Sequence, residues 1–159
     1  MKKQNLFTTI SQVGIVVRDI EKTMNEMTRL FGVTPDKKGN IAPTSRRYHG
    51  NDGDFDALIA LYDYANIQIE LIEPLGGTSI WQEFLDKHGE GIHHIRFTVD
   101  DHDEAIRDMA EKGIDVSQSG DSLIPGLRWT YFDSEATLGF VFEQLSRYGD
   151  TEFKKRKKE

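Results

Sequence analysis

The sequence predicts an α+β protein: two tandem βαβββ modules whose strands form one curved mixed sheet, a cup with the helices outside. Three observations predict it. The chain reads twice in one order of strand, helix, irregular stretch and strands. Each opening strand alternates and ends in an aspartate able to cap a helix, Asp19 and Asp101. Each closing strand holds a glutamate in its middle, Glu70 and Glu143. The expected divisions are a first module at 10–75, a linking helix at 76–90, a second module at 91–146 and a charged tail at 147–159. A length of 159 residues suits two small modules sharing a core.

The elements follow in order. Gln12 to Asp19 lies over His94 to Asp101 as a short alternating strand. A helical pattern comes next, with Met24, Met27, Leu30 and Phe31 at spacings of three and four, closed by Gly32. Residues 34–55 hold Pro35, Gly39, Pro43, Gly50 and Gly53 with little periodicity, and are expected to form a long loop. Ile67 to Ile72 is the first closing strand. Thr78 to His88 is a linking helix: Ser79 and Gln82 have capping-box spacing, Ile80, Trp81, Phe84 and Leu85 make a core-packing stripe, and Gly89 ends it. In the second half Asp101 and Glu104 repeat the capping spacing, Ala105, Ile106, Met109 and Ala110 form the helix face, and Gly113 stops it. Phe140 to Leu145 closes the module, with Glu143 aligned on Glu70.

Composition narrows the function classes. There is no cysteine, so neither a disulfide framework nor a cysteine–zinc cluster is available, and a reducing cytoplasm is the expected location. No apolar run resembles a signal peptide or approaches a membrane span. Net charge is −7, yet Lys154, Lys155, Arg156, Lys157 and Lys158 form one terminal run. Without them 15 basic residues face 27 acidic ones, and so acidic a body argues against nucleic acid as the main partner.

Alternation decides which side chains share a face. Ile95, Phe97 and Val99 should pack beneath the helices, turning His94, Arg96 and Thr98 the other way. The same parity turns Gln12 and Gly14 away from Val13, Ile15 and Val17, and Gln68 and Glu70 away from Ile67, Ile69 and Leu71. Phe140 breaks the pattern around Glu143. His93 should point opposite to His94, in a structural role. Gln12, Glu70, His94 and Glu143 then line one cup at related positions. Two carboxylates, an imidazole and an amide oxygen suit a divalent ion such as cobalt, manganese, nickel, zinc or magnesium.

From about Ile10 to Leu145 the chain resembles the vicinal-oxygen-chelate superfamily of glyoxalase I, fosfomycin-resistance proteins, extradiol dioxygenases and methylmalonyl-CoA epimerase. Ile69 to Leu75 and Gly89 to Ile95 carry the likeness to the epimerase branch. That resemblance implies metal ligands on the first and last strands of each module, which falls on Gln12, Glu70, His94 and Glu143. Gln12 departs from the histidine usual in epimerases, and Tyr131 to Glu135 departs from their histidine–proline sequence.

The resemblance further implies proton abstraction next to the carbonyl of a thioester such as methylmalonyl-CoA, with the ion stabilising the enolate. Glu143 is the expected base. Asp54, with Asp52 as rival, is the expected second one. Arg96 and Arg47, with Arg46, are candidates to hold a substrate carboxylate or phosphates of an acyl-CoA. A glyoxalase I-like lyase and a non-catalytic binding protein are the alternatives. An iron extradiol site is disfavoured because only His94 would serve where two histidines are wanted. A homodimer is expected, since edge strands of paired modules commonly associate.

Overall fold

A computed structural model describes residues 6–7, 9–122 and 124–147. Of the charged segment expected from 147 onward, residues 148–159 lie outside the described ones. The elements run β1 (Thr9–Val16), α1 (Ile20–Phe31), β2 (Lys37–Ile41), β3 (Arg47–Tyr48), β4 (Asn51–Asp52), β5 (Asp56–Asp63), β6 (Gln68–Gly76) and α2 (Ile80–His88). They continue with β7 (Gly91–Thr98), α3 (His102–Glu111), β8 (Val116–Asp121), β9 (Leu127–Phe132), α4 (Glu135–Leu138) and β10 (Val141–Arg147). The ten strands form one curled mixed sheet, a half-barrel in the order β2-β5-β6-β1-β7-β10-β9-β8-β3-β4. None of the described helices is long and apolar enough to cross a membrane.

The centre of the sheet is the antiparallel pair β1 and β7, each flanked by a parallel closing strand. Across β1 and β7, Gln12 pairs with Arg96 and Gly14 with His94. Gly14 also pairs with Glu70, and Arg96 with Glu143. Laying Gln12 on His94 and Glu70 on Glu143 interchanges these pairings, so a pseudo-twofold axis passes between β1 and β7.

Helix starts obey their caps. Asp19 Oδ1 accepts from Lys22 N at 2.9 Å, Ser79 Oγ from Gln82 N at 3.1 Å and Asp101 Oδ1 from Glu104 N at 3.0 Å. Helix α1 buries Ile20 and Met24 against Val17, Ala60, Tyr62 and Leu71 on the convex side. Its last turn leaves the core, for Leu30 and Phe31 are 59% and 67% exposed. Helix α2 instead lays Ile80, Trp81 and Leu85 against Val16, Ile72, Phe55 and Tyr131 on the concave side.

Two expectations are corrected here. The supposed loop at 34–55 contains three strands. Strand β2 pairs with β5, and β3 reaches across to β8 of the other half, joining Arg47 to Ser119 and Tyr48 to Gln118. Lys37, Lys38, Gly39 and Asn40 show no alternation because their strand lies at the rim, where neither face is fully buried. Phe140 lies before β10, and within the strand Val141, Glu143 and Leu145 share the concave side, Val141 against the Trp81 cluster and the other two on the cavity.

Candidate active site

The concave side holds a cavity of about 790 Å³. Its floor is built by strand parity. Gln12 on β1, Gln68 and Glu70 on β6, Arg96 on β7, and Glu143 and Leu145 on β10 all line it. Strand β9 adds Trp129 and Tyr131, and α2 adds Trp81. The aromatic rings form one wall: Trp81 lies 5.8 Å from Trp129 and 6.0 Å from Tyr131, and Tyr131 lies 5.0 Å from His94. Tyr131 and Trp129 escaped the sequence reading, although their alternation around Thr130 was a legible strand signal. Trp81 escaped because its stripe was assigned to core packing alone.

Four predicted residues converge on one point. His94 Nε2 lies 3.0 Å from Glu143 Oε2, 3.5 Å from Glu70 Oε2 and 3.1 Å from the Gln12 amide. His94 has no exposed surface, and Gln12 and Glu143 are 1% and 3% exposed. The His94 ring fits only because Gly14 faces it. A Cβ on Gly14 would stand 1.8 Å from His94 Cε1. Burial alone would push the His94 imidazole down, but Glu143 and then Glu70 reverse this by charge and hydrogen bond, holding it at about 9. Arg96 adds a second positive charge, its Nε donating to Ser11 Oγ at 3.1 Å. Two cations thus balance two carboxylates. Burial, and then the charges of Glu143 and Glu70, push the Tyr131 phenol well above its usual range and keep it a donor.

His93 requires a correction. It was expected to point away from His94, yet the β1 register passes from Gly14–His94 to Ile15–Ile92, leaving His93 as an extra residue on β7. This bulge turns His93 to the same side. Its ring packs 5.1 Å from Phe84 and 5.7 Å from Tyr131, with its Nδ1 at 3.1 Å from His94 Nδ1. Burial, and then the positive His94, push it well below the usual imidazole range, so it is neutral.

Two further expectations do not reach the cup. Asp54 is exposed, and its Oδ1 accepts from Thr78 N at 3.1 Å in the turn before α2. Arg47 is exposed on β3, paired with Asp52 at 2.6 Å, and Arg46 is tied to Phe55 O and Asp56. Glycines around Asp54 obscured its direction in the sequence. Lys37, which had not been singled out, does line the cavity.

The donor set can be tested against a divalent ion. Among the described residues no three or more His, Cys, Asp or Glu side chains are arranged as a ready-made metal cage. The carboxylates and the amide lie within 3.0–3.5 Å of the imidazole at His94 Nε2. The Gln12 amide has two orientations: with its oxygen inward it accepts from His94 Nε2 at 3.1 Å, and turned over its nitrogen faces Glu70 Oε2 (3.1 Å) and Glu143 Oε2 (3.3 Å) while its oxygen accepts from Arg96 Nη1 at 3.0 Å. A cation would displace the His94 proton and turn the amide oxygen inward. Spacings of 3.0–3.5 Å from His94 Nε2 match the edge between neighbouring ligands when each bond is about 2.1 Å. The residues therefore fit.

A family model described as Glyoxalase/Bleomycin resistance protein/Dioxygenase superfamily matches residues 11–128. The chain belongs to this superfamily. Among relatives of this glyoxalase-superfamily member, the mitochondrial methylmalonyl-CoA epimerase of Bos taurus is 28% identical over 108 residues, 67% of this chain and 55% of that one. The Dictyostelium discoideum epimerase is 27% identical over 108 residues, covering 67% and 58%. "Uncharacterized protein YqjC" of Bacillus subtilis is 31% identical over 93 residues, covering 58% and 66%. The chain thus spans between about half and two thirds of each relative's length. Among solved structures, methylmalonyl-CoA epimerase from Mycobacterium tuberculosis superposes with a TM-score of 0.67 at 21% identity, covering 92% of this chain and 93% of that one. A variant of the Streptomyces coelicolor epimerase in complex with 2-nitronate-propionyl-CoA gives 0.66 at 22%, covering 90% and 96%. These superpositions establish the shared fold.

Proposed function

We propose that this superfamily member is a divalent-metal-dependent isomerase that removes the proton next to the carbonyl of an acyl-CoA thioester, with methylmalonyl-CoA the first substrate to test. The observation that carries this is the convergence of Gln12, Glu70 and Glu143 on His94 Nε2 at the cavity floor. These four residues would hold the ion, which when bound supplies positive charge to the enolate oxygen. Glu143 serves as the base, lying at the floor beside the space where a substrate α-carbon would rest. Tyr131 stays protonated and offers a hydrogen bond next to Glu143. Arg96, Lys37 and Lys38 bring positive charge to the cavity for an anionic substrate. The epimerase relatives support the acyl-CoA class.

Epimerisation needs an acid and a base on opposite faces of the carbanion. Besides Glu70 and Glu143 the cavity is lined by two carboxylates already engaged elsewhere, Asp36, which accepts from Asp63 N at 2.7 Å, and Asp121, paired with Arg128 at 3.1 Å. This favours, as a second candidate, a glyoxalase I-like isomerisation in which one carboxylate moves the proton along one face.

Metal analysis followed by solvent-deuterium exchange into methylmalonyl-CoA tests the proposal. Exchange that falls by roughly 10²–10⁴ in Glu143→Gln is expected. Exchange with retention at the α-carbon marks one-base chemistry, and exchange with inversion marks two. A metal-loaded protein that exchanges no proton of any acyl-CoA overturns the proposal.

A further inference from the structure

We propose that His93 is a positioning residue: its Nδ1 accepts the Nδ1–H of His94, and so leaves Nε2 of His94 as the nitrogen able to take an ion. This rests on His94 being a ligand, as proposed above. The two Nδ1 atoms are 3.1 Å apart and buried, so one donates and the other accepts. Were His93 the donor, His94 would need its proton on Nε2, and that nitrogen could not ligate. The surroundings choose the opposite. Both carboxylates lie on the Nε2 side of His94, at 3.0 and 3.5 Å, so Nε2 is the nitrogen turned to the site and Nδ1 is left to carry the proton toward His93. His93 is packed between the rings of Phe84 and Tyr131. An ion held at Nε2 leaves the Nδ1–H bond in place.

Two local features make the contact. The extra residue in β7 brings His93 to the side of His94, where a regular strand would have sent it to the convex face. Gly14, bare on the opposite strand, leaves the room in which the His94 ring stands edge-on to His93, at an interplanar angle of 85°. Ligating histidines commonly depend on such a partner for tautomer and orientation, and losing it costs about 10–100-fold in metal affinity.

The test uses the whole chain labelled with 15N-histidine. Long-range proton–nitrogen correlation spectra, metal-free and with Zn²⁺, should show a bare Nδ1 on His93 and a protonated Nδ1 on His94 in both states. Titration with Co²⁺ should show His93→Phe binding about 10–100-fold more weakly. His93→Asn, whose Oδ1 stands near the lost acceptor, should recover to within about threefold of the original. A proton on His93 Nδ1 overturns the proposal. So does an Asn variant as weak as the Phe variant, or a Phe variant as tight as the original. If His93→Phe fails to fold, the nitrogen assignments in the unaltered chain decide. If the unaltered chain binds neither ion, the metalloenzyme proposal falls, and the metal-free spectra still judge the hydrogen bond by itself.

Discussion

Replacing Gly14 with alanine strikes the site through one methyl group. The added Cβ would lie 1.8 Å from His94 Cε1 and 2.3 Å from both ring nitrogens, where ordinary contact begins near 3.4 Å. The ring must therefore retreat by about 1.6 Å, or β1 must part from β7. Either movement breaks the 3.0 Å contact to Glu143 and leaves buried carboxylates without their cation. Overpacking of this kind costs about 1–3 kcal/mol, and we take 3 because the carboxylates lose their partner as well. Urea unfolding should show a lower midpoint at unchanged slope, and Tm should fall by roughly 6–12 °C. Gly39→Ala is the control, since its Cβ would meet nothing within 4 Å. A Gly14→Ala protein within about 0.5 kcal/mol of the original would refute the idea that this glycine makes room for His94.

The metal-free protein should lose stability on the alkaline side. His94 is raised in the folded state to about 9, so its contribution is complete below the unfolded value near 6.5 and disappears as pH rises through 9. That contribution is about 3 kcal/mol, and chemical denaturation at pH 6 and pH 9.5 should show the drop. Asp54→Ala should cost about 1 kcal/mol by leaving Thr78 N without its acceptor, while deuterium exchange is unchanged. A large loss of exchange would restore Asp54 to the chemistry. Gln12→His puts a second imidazole beside His94, and Zn²⁺ affinity should rise by at least about tenfold in calorimetric titration. Equal or weaker affinity would mean that residue 12 does not face the ion.

Short-range rules made much of the fold legible. Asp19, Ser79 and Asp101 cap their helices because a cap needs only residues three positions apart. The sharing of one face by Gln12, Glu70 and His94 followed from alternation, a property of each strand alone. Sequence reading failed wherever the deciding partner was remote. Strand β3 exists because β8 offers its edge. Asp54 and Arg47 stay outside the cup because Thr78 and Asp52 hold them. His93 reverses its expected direction because β7 has one residue more than β1 at that point.

By itself, then, the sequence determined the opening and closing strands of each half, three helices with their caps and the four polar residues that share the concave face. Only the tertiary structure decided how close those residues come, which side His93 takes and that Tyr131 and Trp81 wall the site. The physical reason lies in reach. Capping and pleat act over two to four residues, whereas register, bulges and the meeting of β1 with β7 are set by strands some 80 residues apart.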